Sequence, residues 1–328
     1  MLDIYFEPNY GKLYENIENG ESVVFEHVSS NGKIQHMFIK REIPTPIKGE
    51  IYFDMVTPYG YGGPVVLEGE NTTLLVKEFE QEFEKYCKAN NIVSEFVRFH
   101  PIDKNYIFFN EVYNSTYLRK TLGTTLKYED PFHEEFSKST RKTIRRILRQ
   151  GVKYEMIENP QDISSFMDVY YSTMDRNEAT DYYYFDREYF ESCLKYFGEQ
   201  IVLVNVMLDN QIIASSFNFL GDRTLHVHLS GTLSEFLEYS PAYIIKYATM
   251  EWAKENNVDL IHYGGGTSNS ESDSLFKFKK KFSKNTEFEF HIGKRIWNQK
   301  IYDLLCKEND VDKDTGFFPA YRSPKDKV

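Results

Sequence analysis

The fold of this 328-residue chain is decided by the stretch from His226 to Phe282. It opens with His226-Val-His-Leu-Ser-Gly-Thr232, continues through a helical segment, and then reads Asp259-Leu-Ile-His-Tyr-Gly-Gly-Gly266. It closes with Leu275-Phe-Lys-Phe-Lys-Lys-Lys-Phe282. This order predicts a strand, a helix, a second strand and a glycine turn, followed by lysines and aromatic residues. Backbone amides and a helix N-terminus would then lie beside one cleft, an arrangement suited to binding phosphates.

The residues around this stretch predict further strands with short turns between them. We expect strands at 200–208, 212–220 and 224–230, because β-branched and apolar residues fill these segments and Asn, Asp or Gly separate them. Ser240 is expected to cap a helix that runs to residue 256, with Pro241 in its first turn. A buried strand is expected at 258–263.

The amino-terminal half shows the same order of elements. Strands are expected at 22–27, 35–41 and 50–57, a helix at 73–90 and a closing strand at 93–99. The repeated order indicates a structural duplication. We therefore predict an α/β chain of two tandem domains, at 1–128 and 129–306, each with a mixed central sheet flanked by helices. Residues 307–328 are expected to form a polar tail.

Composition and charge limit the possible function classes. The net charge is −11, so broad attraction to DNA or to an anionic membrane surface is not expected. The three cysteines lie far apart and fit neither a disulfide framework nor a metal-binding spacing. No run is apolar enough for a transmembrane segment or a signal peptide. We therefore expect a cytoplasmic protein without a bound metal.

A basic helix is expected between the two halves. From 139 to 151 the chain reads Ser-Thr-Arg-Lys-Thr-Ile-Arg-Arg-Ile-Leu-Arg-Gln-Gly, and no acidic residue lies between Phe136 and Tyr154. The cations could meet the phosphates of a donor, or they could form an ordinary solvated helix face. Gly151 is a suitable stop for this helix.

These features resemble those of Fem-type peptidoglycan-bridge aminoacyltransferases and of related GNAT acetyltransferase-like proteins of polysaccharide gene clusters. The most specific match is Phe278-Lys279-x-x-Phe282. The resemblance covers about residues 130–290, and it extends more loosely to Thr57-Pro-Tyr-Gly-Tyr-Gly-Gly-Pro64. Its other motifs are the basic segment, Thr173-Met174-x-Arg176, Ser230-Gly231, Ser240-Pro241 and the glycines at 264–266.

The resemblance implies two GNAT-like (acyl-CoA N-acyltransferase-like) domains and the transfer of an acyl or aminoacyl group to an amine. That reaction needs a positioned amine without its proton, a stabilised oxyanion and room for the leaving group. Lys279 is the catalytic cation that the match implies, while the other lysines of its run suit a solvated face. His228 is a candidate base, because an imidazole titrates near neutral pH. The alternative for His228 is a packed, hydrogen-bonded side chain.

The candidate binding residues form two groups. Two tyrosines could stack on a sugar, and an arginine could bind a carboxylate or a phosphate. Backbone amides next to small residues could approach a donor closely. The expected substrate-binding residues are Tyr59, Tyr61, Arg176 and Phe278. The expected donor-binding residues are Ser230, Gly231, Ser240, Gly264, Gly265 and Gly266. The alternative for the loops is a structural role as packed turns.

The sequence leaves the acyl donor open between aminoacyl-tRNA and acyl-CoA, and no cofactor is expected to be bound permanently. Residues 235–242 read Glu-Phe-Leu-Glu-Tyr-Ser-Pro-Ala where CoA users carry a glycine loop, and the two acids disfavour a pyrophosphate. The predicted function is acyl or aminoacyl transfer to an amine of a cell-wall (peptidoglycan) precursor or of a nucleotide-linked sugar. The alternatives are an acyl-CoA-dependent N-acyltransferase of surface polysaccharide synthesis and a non-catalytic binding protein with the same fold.

Overall fold

The computed structural model describes residues 2–270 and 272–324. Its strands are β1 (Gly20–Ser29), β2 (Gly32–Glu42), β3 (Phe53–Val56), β4 (Val65–Gly69), β5 (Ile92–Arg98), β6 (Thr116–Thr125), β7 (Lys153–Glu158), β8 (Ile201–Leu208), β9 (Gln211–Gly221), β10 (Thr224–Thr232), β11 (Leu260–Gly264) and β12 (Glu287–Ile296). Its α-helices are α1 (Pro8–Lys12), α2 (Glu15–Glu18), α3 (Thr72–Ala89), α4 (Tyr106–Tyr113), α5 (Pro131–Glu135), α6 (Lys138–Arg149), α7 (Ser164–Arg176), α8 (Arg187–Phe197), α9 (Ala242–Glu255), α10 (Ser274–Lys280) and α11 (Gln299–Glu308).

The chain divides into two compact units. The N unit comprises Tyr5–Leu118 together with the segment from Glu289 onward. The C unit comprises Arg119–Phe288 together with the first residues of the chain up to Ile4. Within the described residues, no helix combines the length and the apolar character needed to cross a membrane.

The two units have the same pattern of strand pairing. In the N unit β1, β2 and β3 are antiparallel, β3 and β5 are parallel with α3 between them, and β5 pairs with β12 in antiparallel fashion. In the C unit β8, β9 and β10 are antiparallel, β10 and β11 are parallel with α9 between them, and β11 pairs with β6 in antiparallel fashion. The predicted α/β fold with mixed sheets and flanking helices is therefore confirmed.

The closing strand of each sheet comes from a distant part of the chain. Strand β6 precedes the helices of the C unit but pairs with β11, and β12 follows them but pairs with β5 of the N unit. Residues 119–128 consequently belong to the C unit, and residues 289–306 belong to the N unit. These limits differ from the segments 1–128 and 129–306, because local sequence patterns do not specify a distant pairing partner.

The segment after α11 packs onto the N unit instead of forming a loose polar tail. Ala320 and Tyr321 are buried in a cluster with residues of α11. The Tyr321 and Ser94 hydroxyl oxygens lie 2.7 Å apart, and Arg322 forms an ion pair with Asp54. These contacts anchor the segment through its described end, while residues 325–328 of the expected tail lie outside the described residues.

One apolar core holds α6 and α9 against the sheet of the C unit. Ile144 and Ile147 of α6 are buried in it together with Ile244 and Ile245 of α9. Helix α6 starts where the Ser137 hydroxyl accepts a hydrogen bond from the Thr140 amide, and it stops before Gly151, whose φ is 91°. The predicted basic helix is therefore present.

The start of α9 differs from the prediction that Ser240 caps it. A 3₁₀ turn over Ser234–Tyr239 ends at Ser240, whose φ of 53° is left-handed. The N-cap position is taken by Pro241, and no side chain caps the helix. A Ser-Pro pair is typical of an N-cap followed by the first turn of a helix. Here Ser240 instead ends the preceding 3₁₀ turn, so it does not cap α9.

Candidate active site

Strands β10 and β11 pair over a short length and then separate. Their parallel register runs only from 224 opposite 260 to His226 opposite His262. Strand β10 continues to Thr232 along β9, and β11 continues to Gly264 along β6, with a bulge in each strand just after this point. In the described part of the chain, the two strands form no pairing beyond the bulges. Backbone groups that border this β10–β11 gap can therefore serve a ligand.

Lys279 lies in α10 with its ammonium group against the glycine turn that ends β11. Its Nζ donates a hydrogen bond of 2.7 Å to the carbonyl oxygen of Gly265. Burial, followed by the charge of Arg119, lowers the pKa of Lys279 to about 8, whereas Asp273 acts in the opposite direction. The amine is thus mostly protonated at neutral pH, and it retains donors beyond the one that Gly265 uses. Such a group suits an oxyanion.

The other lysines of the run have different surroundings. Lys277 is exposed to solvent. Lys280 forms an ion pair with Glu287, and Lys281 donates a hydrogen bond of 2.8 Å to the Tyr243 hydroxyl. Lys279 is therefore the lysine of the run that faces the glycine turn.

Charged side chains fix the glycine turn. Arg119 donates from Nη1 to the carbonyl oxygen of Gly266 over 2.9 Å. Asp273 caps α10 by accepting from the Phe276 amide, and it also accepts from the amide and hydroxyl of Thr267. The Thr267 hydroxyl, followed by the Phe276 amide, holds the pKa of Asp273 well below its usual range. The Asp273 carboxylate therefore links the turn to the start of α10 through hydrogen bonds.

Replacing Asp273 with alanine should loosen α10 and the turn together. We expect the melting midpoint to fall by about 2–4 °C, as for a lost helix cap, and the α10 amides to exchange faster with deuterium. Asp130→Ala, which removes the cap of α5, is the matched control and should leave exchange in α10 unchanged. Unaltered protection of α10 in Asp273→Ala would contradict this role.

Lys246 is a site residue that the sequence interpretation missed. It lies on the buried face of α9 with 5% of its surface exposed, and its Nζ is 4.4 Å from the centre of the Tyr263 ring. Burial, followed by the charge of Lys279, lowers the pKa of Lys246 to about 7. A lysine among apolar helix positions was the available signal. Arg119, Lys246 and Lys279 together make the end of β11 cationic.

The N-terminus of α9 is occupied by the chain's own carbonyl groups. The Tyr243 amide donates to the oxygen of Ser240 over 3.1 Å. The amides of Ile244 and Ile245 donate to the oxygen of Pro241 over 2.9 and 3.1 Å. A helix N-terminus binds phosphate through free amides, and these amides already have partners. The predicted donor-binding role of Ser240 stays a prediction.

The Thr173-Met174-x-Arg176 motif ties α7 to the end of β10. The Thr232 amide donates to the Thr173 hydroxyl over 2.7 Å, and that hydroxyl donates in turn to the Thr232 carbonyl over 3.1 Å. Arg176 donates to the same carbonyl over 2.5 Å. A Cβ on Gly231 would lie 2.5 Å from the Val169 carbonyl oxygen. These structural contacts are sufficient to explain why an arginine and a glycine occupy positions 176 and 231. The predicted binding roles of Arg176 and Gly231 stay predictions.

Gly231→Ala is expected to destabilise the C unit. The added methyl group would contact the backbone of α7, which cannot move aside as a side chain can. We expect the free energy of unfolding to fall by about 2–3 kcal/mol because of this overpacking. Urea denaturation of the full chain would measure it. Gly316→Ala is the control, because a Cβ there meets nothing within 4 Å. Equal stability of both variants would contradict the close packing of β10 on α7.

His228 is packed among aromatic rings at the bulge of β10. Its Nε2 lies 2.7 Å from the Tyr189 hydroxyl, and its ring centre lies 5.0 Å from that of Phe219. Burial, followed by the charge of His226, lowers the pKa of His228 to about 3. The imidazole is then neutral at physiological pH and too weak to take much of an amine's proton. The predicted role of His228 as a base stays a prediction, and its lowered pKa disfavours it.

The remaining candidates are placed as follows. Tyr59 and Tyr61 belong to the N unit, where the Tyr59 carbonyl accepts from the Tyr10 hydroxyl over 2.8 Å and the buried Tyr61 ring contacts Tyr5. Their loop is thus packed within its unit, and its predicted role stays a prediction.

Phe278 is half-buried against the Tyr243 ring, beside Lys279 in α10. Ser230 is exposed on β10, and Gly264, at φ 71°, ends β11.

Helix α6 presents a basic face to solvent. Arg141 turns inward and donates to the carbonyls of His133 and Phe136. Within residues 2–270 and 272–324, none of the exposed cations of α6 forms an ion pair. The Ser137 amide donates to the Lys281 carbonyl over 2.9 Å, so the start of α6 lies next to the end of α10. The exposed cations are Lys138, Lys142, Arg145, Arg146 and Arg149.

Comparisons with known proteins agree with this organisation. The profile of the acetyltransferase (GNAT) domain family matches residues 135–280. A curated UDP-N-acetylmuramoylpentapeptide-lysine N(6)-alanyltransferase from Weissella viridescens is 24% identical over 176 residues, which are 53% of this chain and 51% of that protein. The chain therefore matches about half the length of this relative.

Solved structures extend the likeness to nearly the whole chain. The crystal structure of FemX has a TM-score of 0.68 and 14% identity over 92% of this chain and 94% of its own. The structure of L-PGS from Bacillus licheniformis has a TM-score of 0.54 and 10% identity over 93% and 95%. The predicted resemblance is confirmed: residues 135–280 match an acetyltransferase (GNAT) domain, and the chain has the fold of the Fem-type protein FemX.

Proposed function

We propose that this protein transfers an aminoacyl group from aminoacyl-tRNA to an amine of a cell-wall precursor. The observation that carries the proposal is the position of Lys279. It lies in a GNAT domain, bonds to the turn that ends β11, and has Arg119 and Lys246 as electrostatic neighbours. A cationic group at a gap between strands suits a reaction in which negative charge develops on oxygen.

The proposed chemistry is attack of an amine on an ester. The acceptor nitrogen bonds to the ester carbonyl carbon, and the carbonyl oxygen becomes an oxyanion. The ammonium of Lys279 stabilises that oxyanion, and Gly265 fixes the direction of its Nζ. Collapse of the intermediate breaks the bond to the ribose oxygen. A proton from the acceptor nitrogen passes to that oxygen, so an amide and a free hydroxyl result. No metal and no redox partner takes part in these steps.

Two features of the C unit support an RNA donor over acyl-CoA. The amides at the start of α9 are hydrogen-bonded to the carbonyls of residues 240 and 241. Few free amides therefore remain there to bind a pyrophosphate. The exposed cations of α6 form a row that suits a phosphodiester backbone. The net charge of the chain is −11, so the basic face of α6 is a local patch of positive charge on an otherwise acidic protein.

The acceptor is proposed from the alanyltransferase relative. Its name specifies the lysine N6 amine of UDP-N-acetylmuramoylpentapeptide as the site of alanyl transfer. A primary amine on a nucleotide-linked muramoyl peptide is therefore the acceptor class to test first. Both proposed substrates are cytoplasmic compounds, in keeping with the compartment that the sequence predicts.

A donor panel tests the proposal. The full chain is incubated with UDP-linked muramoyl pentapeptide that contains lysine, and with labelled alanyl-tRNA, seryl-tRNA, glycyl-tRNA or acetyl-CoA in parallel. We expect label to reach the acceptor from at least one aminoacyl-tRNA and not from acetyl-CoA. Transfer from acetyl-CoA alone would establish the N-acetyltransferase alternative, and no transfer from a complete aminoacyl-tRNA pool would favour a binding protein. Acceptor without its lysine amine is the control.

A further inference from the structure

Lys246 is a mostly buried residue, and among the described residues its ε-amine has no compensating carboxylate. Its residue is 5% exposed, and within the described ranges its Nζ forms neither a hydrogen bond nor an ion pair. Its nearest characterised contact is the face of the Tyr263 ring, 4.4 Å from Nζ to the ring centre. Burying an unpaired amine costs stability, and an apolar residue would fit this helix face at lower cost. The amine is therefore a candidate for a function rather than for packing.

Lys246 lies beside the proposed oxyanion site. Tyr263, under its amine, is two residues from Gly265, whose carbonyl holds Lys279. Lys279 is also the charged group that acts on Lys246 through space. One amine comes from α9 and the other from α10, so the two border the end of β11.

The other titratable groups around α9 are engaged elsewhere. At the adjacent position, Tyr247 interacts with Glu251 of its own helix, Tyr154 of β7 and Arg145 of α6. The histidines of β10 and β11 have partners of their own in the C unit. His226 contacts Asp3, His228 contacts Tyr189, and His262 contacts Thr121. Within the described residues no carboxylate pairs with Lys246, and the Tyr263 ring is the contact given for its ammonium form.

We infer that Lys246 is a second catalytic amine of the C unit, which takes a proton from the attacking acceptor nitrogen and gives it to the departing ribose oxygen. The inference rests on the proposed function. As the N–C bond forms, the carbonyl electron pair moves to the oxygen, and the amine of Lys246 becomes an ammonium. As the C–O bond breaks, that ammonium returns the proton to the ribose oxygen. The cycle restores the neutral amine and needs no other reactant.

The activity test compares three substitutions in single-turnover transfer. Lys246→Met keeps the apolar stem and should slow transfer about 100- to 10,000-fold, the usual range for a lost acid–base group. Lys246→Arg keeps a positive charge but cannot release a proton near neutral pH, so it should be as slow. Lys254→Met, at an exposed position of α9, is the control and should match the wild type. Full activity of Lys246→Arg would overturn the inference, because charge alone would then suffice.

The pH dependence supplies a second readout. In the wild type the transfer rate should rise up to about pH 7, as the amine of Lys246 becomes neutral, and should fall again above about pH 8, as Lys279 loses its charge. Lys246→Met should lose that rise. If the transfer rate of Lys246→Met rose at the same pH and by the same factor, the rise would belong to another group and the inference would be overturned.

Stability against pH tests the amine without any substrate. Burial lowers the pKa of Lys246 in the folded state from 10.5 to about 7, so the unfolded chain binds more protons between these values. Wild-type stability should therefore rise from pH 7 to pH 10 relative to Lys246→Met, and the variant should be the more stable protein at pH 6. A pH-independent difference in urea denaturation would contradict the burial of a free amine. An inactive wild type with the expected pH curve would reject the proposed function alone, whereas an active Lys246→Met would reject this inference alone.

Discussion

Lys279→Met is expected to slow single-turnover aminoacyl transfer about 100- to 1,000-fold, the usual loss when one oxyanion donor is removed. Methionine retains an unbranched stem but removes the ammonium that Gly265 orients. The loss should fall on the chemical step, because an oxyanion exists only after the acceptor has attacked. Rapid quench with enzyme in excess over aminoacyl-tRNA would measure that step directly.

The matched control for Lys279→Met is Lys277→Met. Lys277 lies on the same helix and is exposed, so its replacement removes an equal charge from the solvated face. The control should transfer within about twofold of the wild type, as expected for a surface substitution. Equal rates for the wild type and Lys279→Met would contradict the proposed oxyanion role.

Neutralising the basic face of α6 should weaken donor binding. We expect Lys142→Gln, Arg146→Gln and Arg149→Gln together to reduce affinity for aminoacyl-tRNA about 10- to 100-fold at low salt. Each lost phosphate contact should also reduce the slope of log affinity against log salt by about 1. Filter binding across a salt series measures both quantities.

A triple substitution on another helix controls for net charge. Lys77→Gln, Lys85→Gln and Lys88→Gln remove the same charge from exposed positions of α3 in the N unit. This variant should keep most of the affinity and most of the salt slope. Equal losses in both triple variants would mean that overall charge, and not the α6 face, attracts the RNA.

Local patterns were enough to predict most elements of the fold. Periodicity placed α3, α6 and α9 and the strands around them within a few residues, because alternation and helical spacing are set by neighbours in the sequence. The origins of the closing strands were not predictable in this way. Strand β6 pairs with β11 across more than a hundred residues, and no local pattern records that choice.

The candidate site was only partly predictable. The motif at Phe278 and Lys279 and the glycines after β11 were recognised, and the structure brings Lys279 to Gly265. Asp273 was missed, although an aspartate just before a helix is a common cap signal. Lys246 was missed because its segment was interpreted only as a helix with an apolar face. Its chemistry comes from burial and from Lys279, which lies far along the chain.

A motif that resembles a family pattern can also have a structural cause. Thr173 and Arg176 fit the Fem-type pattern, and both bond to the carbonyl of Thr232. These bonds fix the end of β10 next to the β10–β11 gap. Their contribution to a reaction would then be to hold the backbone, which sequence alone could not separate from ligand binding.

The proposed reaction of the C unit is the formation of an amide between an aminoacyl group and an acceptor amine. Tandem mass spectrometry of the acceptor after incubation with wild-type protein and aminoacyl-tRNA tests it most directly. We expect a mass increase of one amino-acid residue on the side-chain amine of the acceptor, and a product yield about 100-fold lower or less with Lys279→Met at an early, matched incubation time. An unmodified acceptor, or a product that forms equally with Lys279→Met, would contradict it.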